Sequence, residues 1–227
     1  MNLINLIFPK KCAVCGEFTG DAVFCGVCAS KYEQIKREPC RRCGLAHSLC
    51  RCKPQRLWGE KQVHCRHLFA FDGETAKALI YKLKRKNLVS LQKFFARELA
   101  LIIKDELRTG EEYILTYAPR AKKAVREYGF DQAELLARGA AEELSLPMQK
   151  LFLRESGENT QQKTLGREER EENASRAFAL CRGAEIRGKV IILIDDVTTT
   201  GSTAERLCSL SLSAGAKKIL FMSIAKA

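Results

Sequence analysis

"VIILIDDVTTTGSTAERL", Val190 to Leu207, packs four different signals into one short stretch. Val190 to Ile194 is an unbroken apolar run of strand length, the pattern of a strand buried on both faces. Asp195 and Asp196 follow side by side. Then come Val197, Thr198, Thr199, Thr200, Gly201, Ser202 and Thr203, and a helical pattern opens from about Ser202. Gly201 lets the backbone take a positive φ or approach a ligand closely. The first turn of the helix offers unpaired N–H groups and the positive end of its dipole. With the hydroxyls added, the turn suits a phosphate monoester. The two carboxylates only accept hydrogen bonds, so they suit sugar hydroxyls or a metal ion. A phosphorylated ribose meets both demands.

An ordinary structural explanation competes with this one. Ser202 and Glu205 form the S-x-x-E pattern of a capping box, which needs no ligand. A capping box leaves the paired acids and the threonine run unexplained. No G-K-[ST] follows, and no G-x-G-x-x-G is present, so a Walker loop and a dinucleotide fingerprint are excluded.

Working outward, strands and helices alternate. Val63 to Phe71 reads as a strand. Ala76, Leu79, Ile80 and Leu83 take helical spacing, and a second helix spans about Leu88 to Leu107, with Gly110 marking its limit. Tyr113 to Ala118 is a buried strand, followed by a basic loop, "PRAKKAVREYGFD". Asp131 is placed to cap a helix carrying Leu135, Leu136 and Leu144. Met148 to Leu153 and Lys217 to Ala225 read as further strands. This order predicts an α/β fold, a mostly parallel sheet flanked by helices. Ligands of such sheets bind beyond the carboxyl ends of the strands, where Asp195 and Asp196 lie.

The N-terminal part differs in kind. Eight of the eleven cysteines fall between Cys12 and Cys52, as "CAVC", "CGVC", "CRRC" and "CRC". A C-x-x-C turn presents two thiolates to one ion, and two such turns close a zinc site. The segment is too short and polar to build its own core, so metal ligation would supply its folding free energy. Cys12, Cys15, Cys25 and Cys28 are assigned to one site, and Cys40, Cys43, Cys50 and Cys52 to a second. A cross-braced pairing and a single zinc with spare thiols remain open. Cys65, Cys181 and Cys208 are read as small buried hydrophobes. His64 and His67 are read as ordinary surface and core positions. Residues 1–55 form the zinc module and 56–227 the α/β domain, joined by a polar linker, Lys53 to Gln62. Trp58 in that linker is read as packing one against the other, with base stacking as the alternative.

The net charge of +12 is concentrated in residues 1–90, which hold 17 Lys/Arg against 7 Asp/Glu. That surface is a candidate for an acidic partner such as single-stranded DNA, or simply a solvated basic face. No apolar run reaches the ~20 residues of a membrane span and no signal peptide is recognised, so a cytoplasmic location is expected.

"VIILIDDVTTTGST" resembles the phosphoribosyl diphosphate (PRPP) motif of type I phosphoribosyltransferases. Together with the cysteine pairs, "LIYKLKRKN" (Leu79 to Asn87) and the pattern Gln162, Leu165, Arg170, Asn173, Phe178, it makes the chain similar to the ComF family over nearly its full length. That family joins a double zinc ribbon to a phosphoribosyltransferase-like domain. Tyr128 and Asp131 depart from its Arg-Gly-Phe-Asn pattern, and only Pro119 stands where it tends to have Pro-x-Pro.

The resemblance implies PRPP binding with Mg²⁺. Asp195 and Asp196 would take the ribose hydroxyls and the associated metal, and residues 197–203 the 5-phosphate. Arg120, Lys122 and Lys123 would face the diphosphate, and Gln162, Arg167 and Arg170 would close as a lid. It further implies a role in DNA uptake or the handling of single strands, with an active phosphoribosyltransferase of nucleotide metabolism as one alternative. A zinc-ribbon adaptor docking a partner such as a helicase is another.

Overall fold

A computed structural model describes residues 10–154 and 178–227. Its first elements are small: β1 (Lys10–Lys11) pairs antiparallel with β2 (Phe18–Gly20), and α1 runs from Gly26 to Arg37. A single 3-10 turn, Gln55–Leu57, leads to β3 (Val63–Ala70). Then come α2 (Gly73–Arg85), α3 (Val89–Lys104), β4 (Tyr113–Tyr117), α4 (Lys122–Tyr128), α5 (Gln132–Leu144), β5 (Phe152–Arg154) and β6 (Phe178–Leu180). The chain closes with β7 (Val190–Thr198), α6 (Ser202–Ser213) and β8 (Lys218–Lys226).

The main sheet has the order β3-β8-β7-β4, and all three pairings are parallel. The mostly parallel sheet flanked by helices is therefore borne out. Period-2 alternation divides each strand between two cores. Val190, Ile192 and Ile194 join Leu115, Leu220 and Met222 under α2, α3 and α5. Ile191 and Leu193 join Ile114, Ile219 and Phe221 under α6. A sheet covered on both faces needs apolar residues at every position, which is why β7 opens as an unbroken hydrophobic run.

Local readings changed in several places. β7 does not stop at Ile194 but runs four residues further, with Asp195 opposite Ser223 and Thr198 opposite Lys226. The long helix ends at Lys104, well short of Gly110, whose φ of 82° serves the turn into β4. The basic "loop" after β4 contains α4, closed by Gly129 in the left-handed region. None of the seven residues of α4 is buried, so no apolar stripe announced it. Of Met148 to Leu153, Met148 makes one bridge to Leu115, and Phe152 to Arg154 pairs antiparallel with β6, apart from the main sheet. The expected cap of α5 is present: Asp131 accepts from the amides of Ala133 and Glu134.

The N-terminal module is built onto the α/β core. Tyr32 of α1 is 2% exposed and meets Phe69 and Phe95 edge-on, while its hydroxyl donates to Glu98. A second tie is ionic. Arg66 of β3, 2% exposed, donates to the Ser48 carbonyl and to Glu106, which also pairs with Arg51. Burial pushes the Glu106 carboxyl up, but Arg66 and Arg51 outweigh it and hold the group below the usual range.

Glu106→Ala would leave the Arg66 guanidinium buried and poorly paired, so it should lower the unfolding free energy by about 3–5 kcal/mol. The stabilisation exists above the ordinary glutamate pKa and fades as pH falls through the depressed folded value. Urea denaturation at pH 7 checks the first claim; a loss below 1 kcal/mol would refute it.

Candidate functional site

Two cysteine clusters and one sheet-edge cluster stand out. In the first, Sγ atoms of Cys12, Cys15, Cys25 and Cys28 all lie within 4.8 Å of one another, and so do those of Cys40, Cys43, Cys50 and Cys52 in the second. The sequential pairing holds, and the cross-braced one does not. Backbone amides already face the sulfurs: Val14 N lies 3.4 Å from Cys12 Sγ and Cys52 N 3.3 Å from Cys50 Sγ. Burial raises the Cys12 and Cys40 thiols, yet donated backbone hydrogen bonds outweigh it and lower both to about 6. Four soft sulfur ligands at this spacing fit tetrahedral zinc at each site, while burial and the neighbouring sulfurs raise Cys28 and Cys50. "CRC" completes its cluster despite being one residue shorter than the other knuckles.

The remaining cysteines and histidines are largely as expected. Cys65 and Cys208 are buried, while Cys181 is partly exposed. His67 is fully buried, with Nδ1 2.7 Å from Ser223 Oγ, and burial lowers its pKa to about 3, so it is neutral. His64 is half-exposed beside Glu106.

At the carboxyl end of the sheet, Asp196 continues the face of Ile192 and Ile194. There it meets two side chains. Lys84 Nζ, near the end of α2, lies 3.3 Å from Asp196 Oδ1, and the Gln132 amide at the start of α5 donates to Oδ2. Gln132 is 6% exposed, and its Oε1 has no hydrogen-bond partner among the described residues. Asp195 accepts from the Asp196 amide. Burial and the neighbouring Asp196 push the Asp195 carboxyl up to about 7, although Lys84 pulls the other way.

The turn after β7 is anchored from below. Thr198 is 3% exposed, and its hydroxyl donates to Ser223 Oγ at 3.0 Å, so it faces into the sheet. Thr199 and Thr200 are exposed, and Gly201 takes φ 86° as the N-cap of α6. Ser202 therefore lies inside the helix. The S-x-x-E capping box does not form, and Glu205 instead pairs with Arg56 at 3.2 Å. Beside the turn an open groove of about 660 Å³ is lined by Arg42, Lys53, Arg56 and Trp58 together with Thr199 and Thr200.

The other candidates are spread out. The Arg120 guanidinium is held on the Lys84 and Phe130 carbonyls and stacks over Tyr128 at 4.5 Å. Lys122 and Lys123 are exposed on α4. Gln162, Arg167 and Arg170 lie outside the described residues. Trp58 does not serve as packing: it is 56% exposed, with Arg42 over its ring at 4.5 Å, and the buried residues of the linker are Pro54 and Leu57. Lys84 and Gln132 were not assigned to the site from sequence. Lys84 falls in the "LIYKLKRKN" stretch and Gln132 follows Asp131, the cap of α5, but nothing in the sequence places either beside the acids.

The profile of the double zinc ribbon domain family matches residues 3–67. Competence protein ComFC of Streptococcus pneumoniae is 28% identical over 231 residues, covering 95% of this chain and all of that one. Competence protein F of Haemophilus influenzae is 28% identical over 216 residues, covering 89% of this chain and 91% of that one. A solved hypoxanthine-guanine phosphoribosyltransferase from Bacillus anthracis is 15% identical, with a TM-score of 0.41, over 60% of this chain and 68% of that one.

Two tests follow from this geometry. Metal analysis of the purified chain should find two zinc equivalents, and Cys50→Ser should retain one; a single equivalent in the unaltered chain would contradict the second site. Asp195 has a raised folded pKa, so its contribution to stability is full below about pH 4 and is lost as pH rises to about 7. The urea midpoint of the unaltered chain should therefore drop relative to Asp195→Asn between pH 5 and 8, and parallel curves would exclude the effect.

Residues 3–67 thus match the double zinc ribbon domain family, and the chain is similar along most of its length to the competence proteins ComFC and F.

Proposed function

We propose that this protein binds PRPP with Mg²⁺ at the carboxyl end of β7 and works in DNA uptake, handling incoming single strands. In this reading residues 1–55 are the zinc module and 56–227 the PRPP-binding domain. The observation that carries it is the buried Gln132 Oε1, which has no partner among the described residues while the amide nitrogen of the same side chain donates to Asp196. A buried acceptor of this kind calls for a donor, and a ribose hydroxyl is one. Asp195 and Asp196 accept from the same sugar. Asp195 and Asp196 would hold Mg²⁺, a hard cation, which would supply positive charge to the diphosphate.

Thr199, Thr200, Ser202 and Thr203, with the amides that open α6, then face the 5-phosphate. Val197 and Thr198 hold the turn to the sheet, and Gly201 supplies its left-handed bend. The cationic groove beside the turn favours an anion there. The role in DNA uptake rests on the two competence-protein relatives. The basic N-terminal region supports contact with strand phosphates.

The geometry favours binding over turnover. Catalysis needs cations on the leaving diphosphate. Arg120 spends its guanidinium on two carbonyls, leaving Lys122 and Lys123 of the assigned group.

Titration calorimetry of PRPP with Mg²⁺ is the direct test. Asp195→Asn with Asp196→Asn should weaken binding at least a hundredfold while zinc content stays unchanged. Because Asp195 releases its proton only near pH 7, affinity should rise from pH 6 to pH 8. Absence of binding by the unaltered chain would end this reading. Diphosphate release with a panel of bases would move it from binder to transferase.

A further inference from the structure

The second cysteine cluster and the hydroxyl-rich turn, far apart in sequence, are joined by a short strap. Cys52 is the last cysteine of that cluster, and its carbonyl accepts from Lys226 Nζ at 2.8 Å. Lys226 is the register partner of Thr198 at the foot of the turn. The next residues continue across the turn. The Lys53 carbonyl accepts from Arg42 Nη1 and from Trp58 Nε1, both at 3.1 Å. Pro54 is buried and lies against Gly201: a methyl group built on that glycine would come within 2.6 Å of Pro54 Cβ. Arg56 pairs with Glu205 in the first turn of α6, and Leu57 is buried with Ala204 and Leu207.

The first cluster touches a different part of the molecule. Cys12 and Cys28 lie in the core formed with α2 and α3, and Lys82 donates to the Val14 carbonyl at 2.7 Å.

We infer that the strap 53–57 positions the turn 199–203, with Pro54 as the positioning residue, and that metal in the second cluster anchors the strap. A turn whose donors must converge on one phosphate gains affinity from being held in place beforehand. Pro54 suits this task, because its fixed φ keeps the strap from following the turn if the turn moves. The two zinc sites are therefore unequal: the second is coupled to the ligand turn and the first is not. The affinity arm of this inference rests on the PRPP reading above; the coupling itself does not.

The full-length, zinc-loaded chain is compared with Cys15→Ser, Cys43→Ser and Pro54→Gly, each after zinc analysis. Two signals are read: hydrogen exchange of the amides of residues 201–206, and the emission of Trp58, the chain's only tryptophan. Cys43→Ser and Pro54→Gly should speed that exchange about tenfold and shift the emission, and Cys15→Ser should change neither. PRPP affinity should fall about tenfold in the first two only, an ordinary coupling between groups in contact. If Cys43→Ser fails to fold, Pro54→Gly alone decides, because it removes no metal ligand. Unchanged exchange in Pro54→Gly, or equal loosening by Cys15→Ser, overturns the inference. If the unaltered chain binds no PRPP, the proposed ligand fails, while the exchange data still settle the coupling.

Discussion

The parallel pairing of β7 with β8 continues past its hydrophobic run and through the acidic pair, beyond Ile194 where the pairing with β4 ends. The rest of the arrangement hangs on this. While a strand stays paired to a neighbour in extended form, its side chains must alternate between faces, and the acids cannot share a direction. Asp196 is directed under α2 and α5, where Lys84 and Gln132 wait. Asp195, on the other face, makes no ion pair among the described residues, and burial with the neighbouring Asp196 holds its proton. Two identical residues, adjacent in sequence, thus acquire different chemistry from one backbone constraint.

The same end of the sheet is tied down by polar contacts. Thr198, Ser223 and His67 form a buried line of hydrogen bonds across β7, β8 and β3. This line lies beneath the turn, and His67 Nε2 at its end has no hydrogen-bond partner among the described residues. The N-terminal module adds its own restraints, through Tyr32 on one side and through Arg66 and Glu106 on the other. It is better regarded as a wall of the molecule than as an appendage, since its aromatic residues complete the core of the α/β part.

Much of this is legible in the sequence. The apolar run of β7, the cap at Asp131, the stripe of α2 and the two cysteine sets all carry local signals that survive tertiary packing. Where packing decided, the reading failed. Helix α4 buries nothing, so no period could announce it. β5 contains three residues, too few for a pattern. Trp58 has the composition of an anchor, yet Leu57 next to it took the buried position, because a single turn of 3-10 helix points one of two adjacent residues inward.

Ligand types are properties of residues. Sequence therefore sufficed to nominate thiolates for zinc, hydroxyls for a phosphate and carboxylates for a sugar or a metal. It could also order the strands along the chain. It could not say that a lysine and a glutamine 48 residues apart would converge on Asp196, or that a proline after the last cysteine pair would rest against Gly201. Those meetings depend on the sheet order β3-β8-β7-β4, which brings the end of β8 between the zinc module and the turn. Chain separation carries no information about that order; only the simultaneous burial of both faces of the sheet selects it.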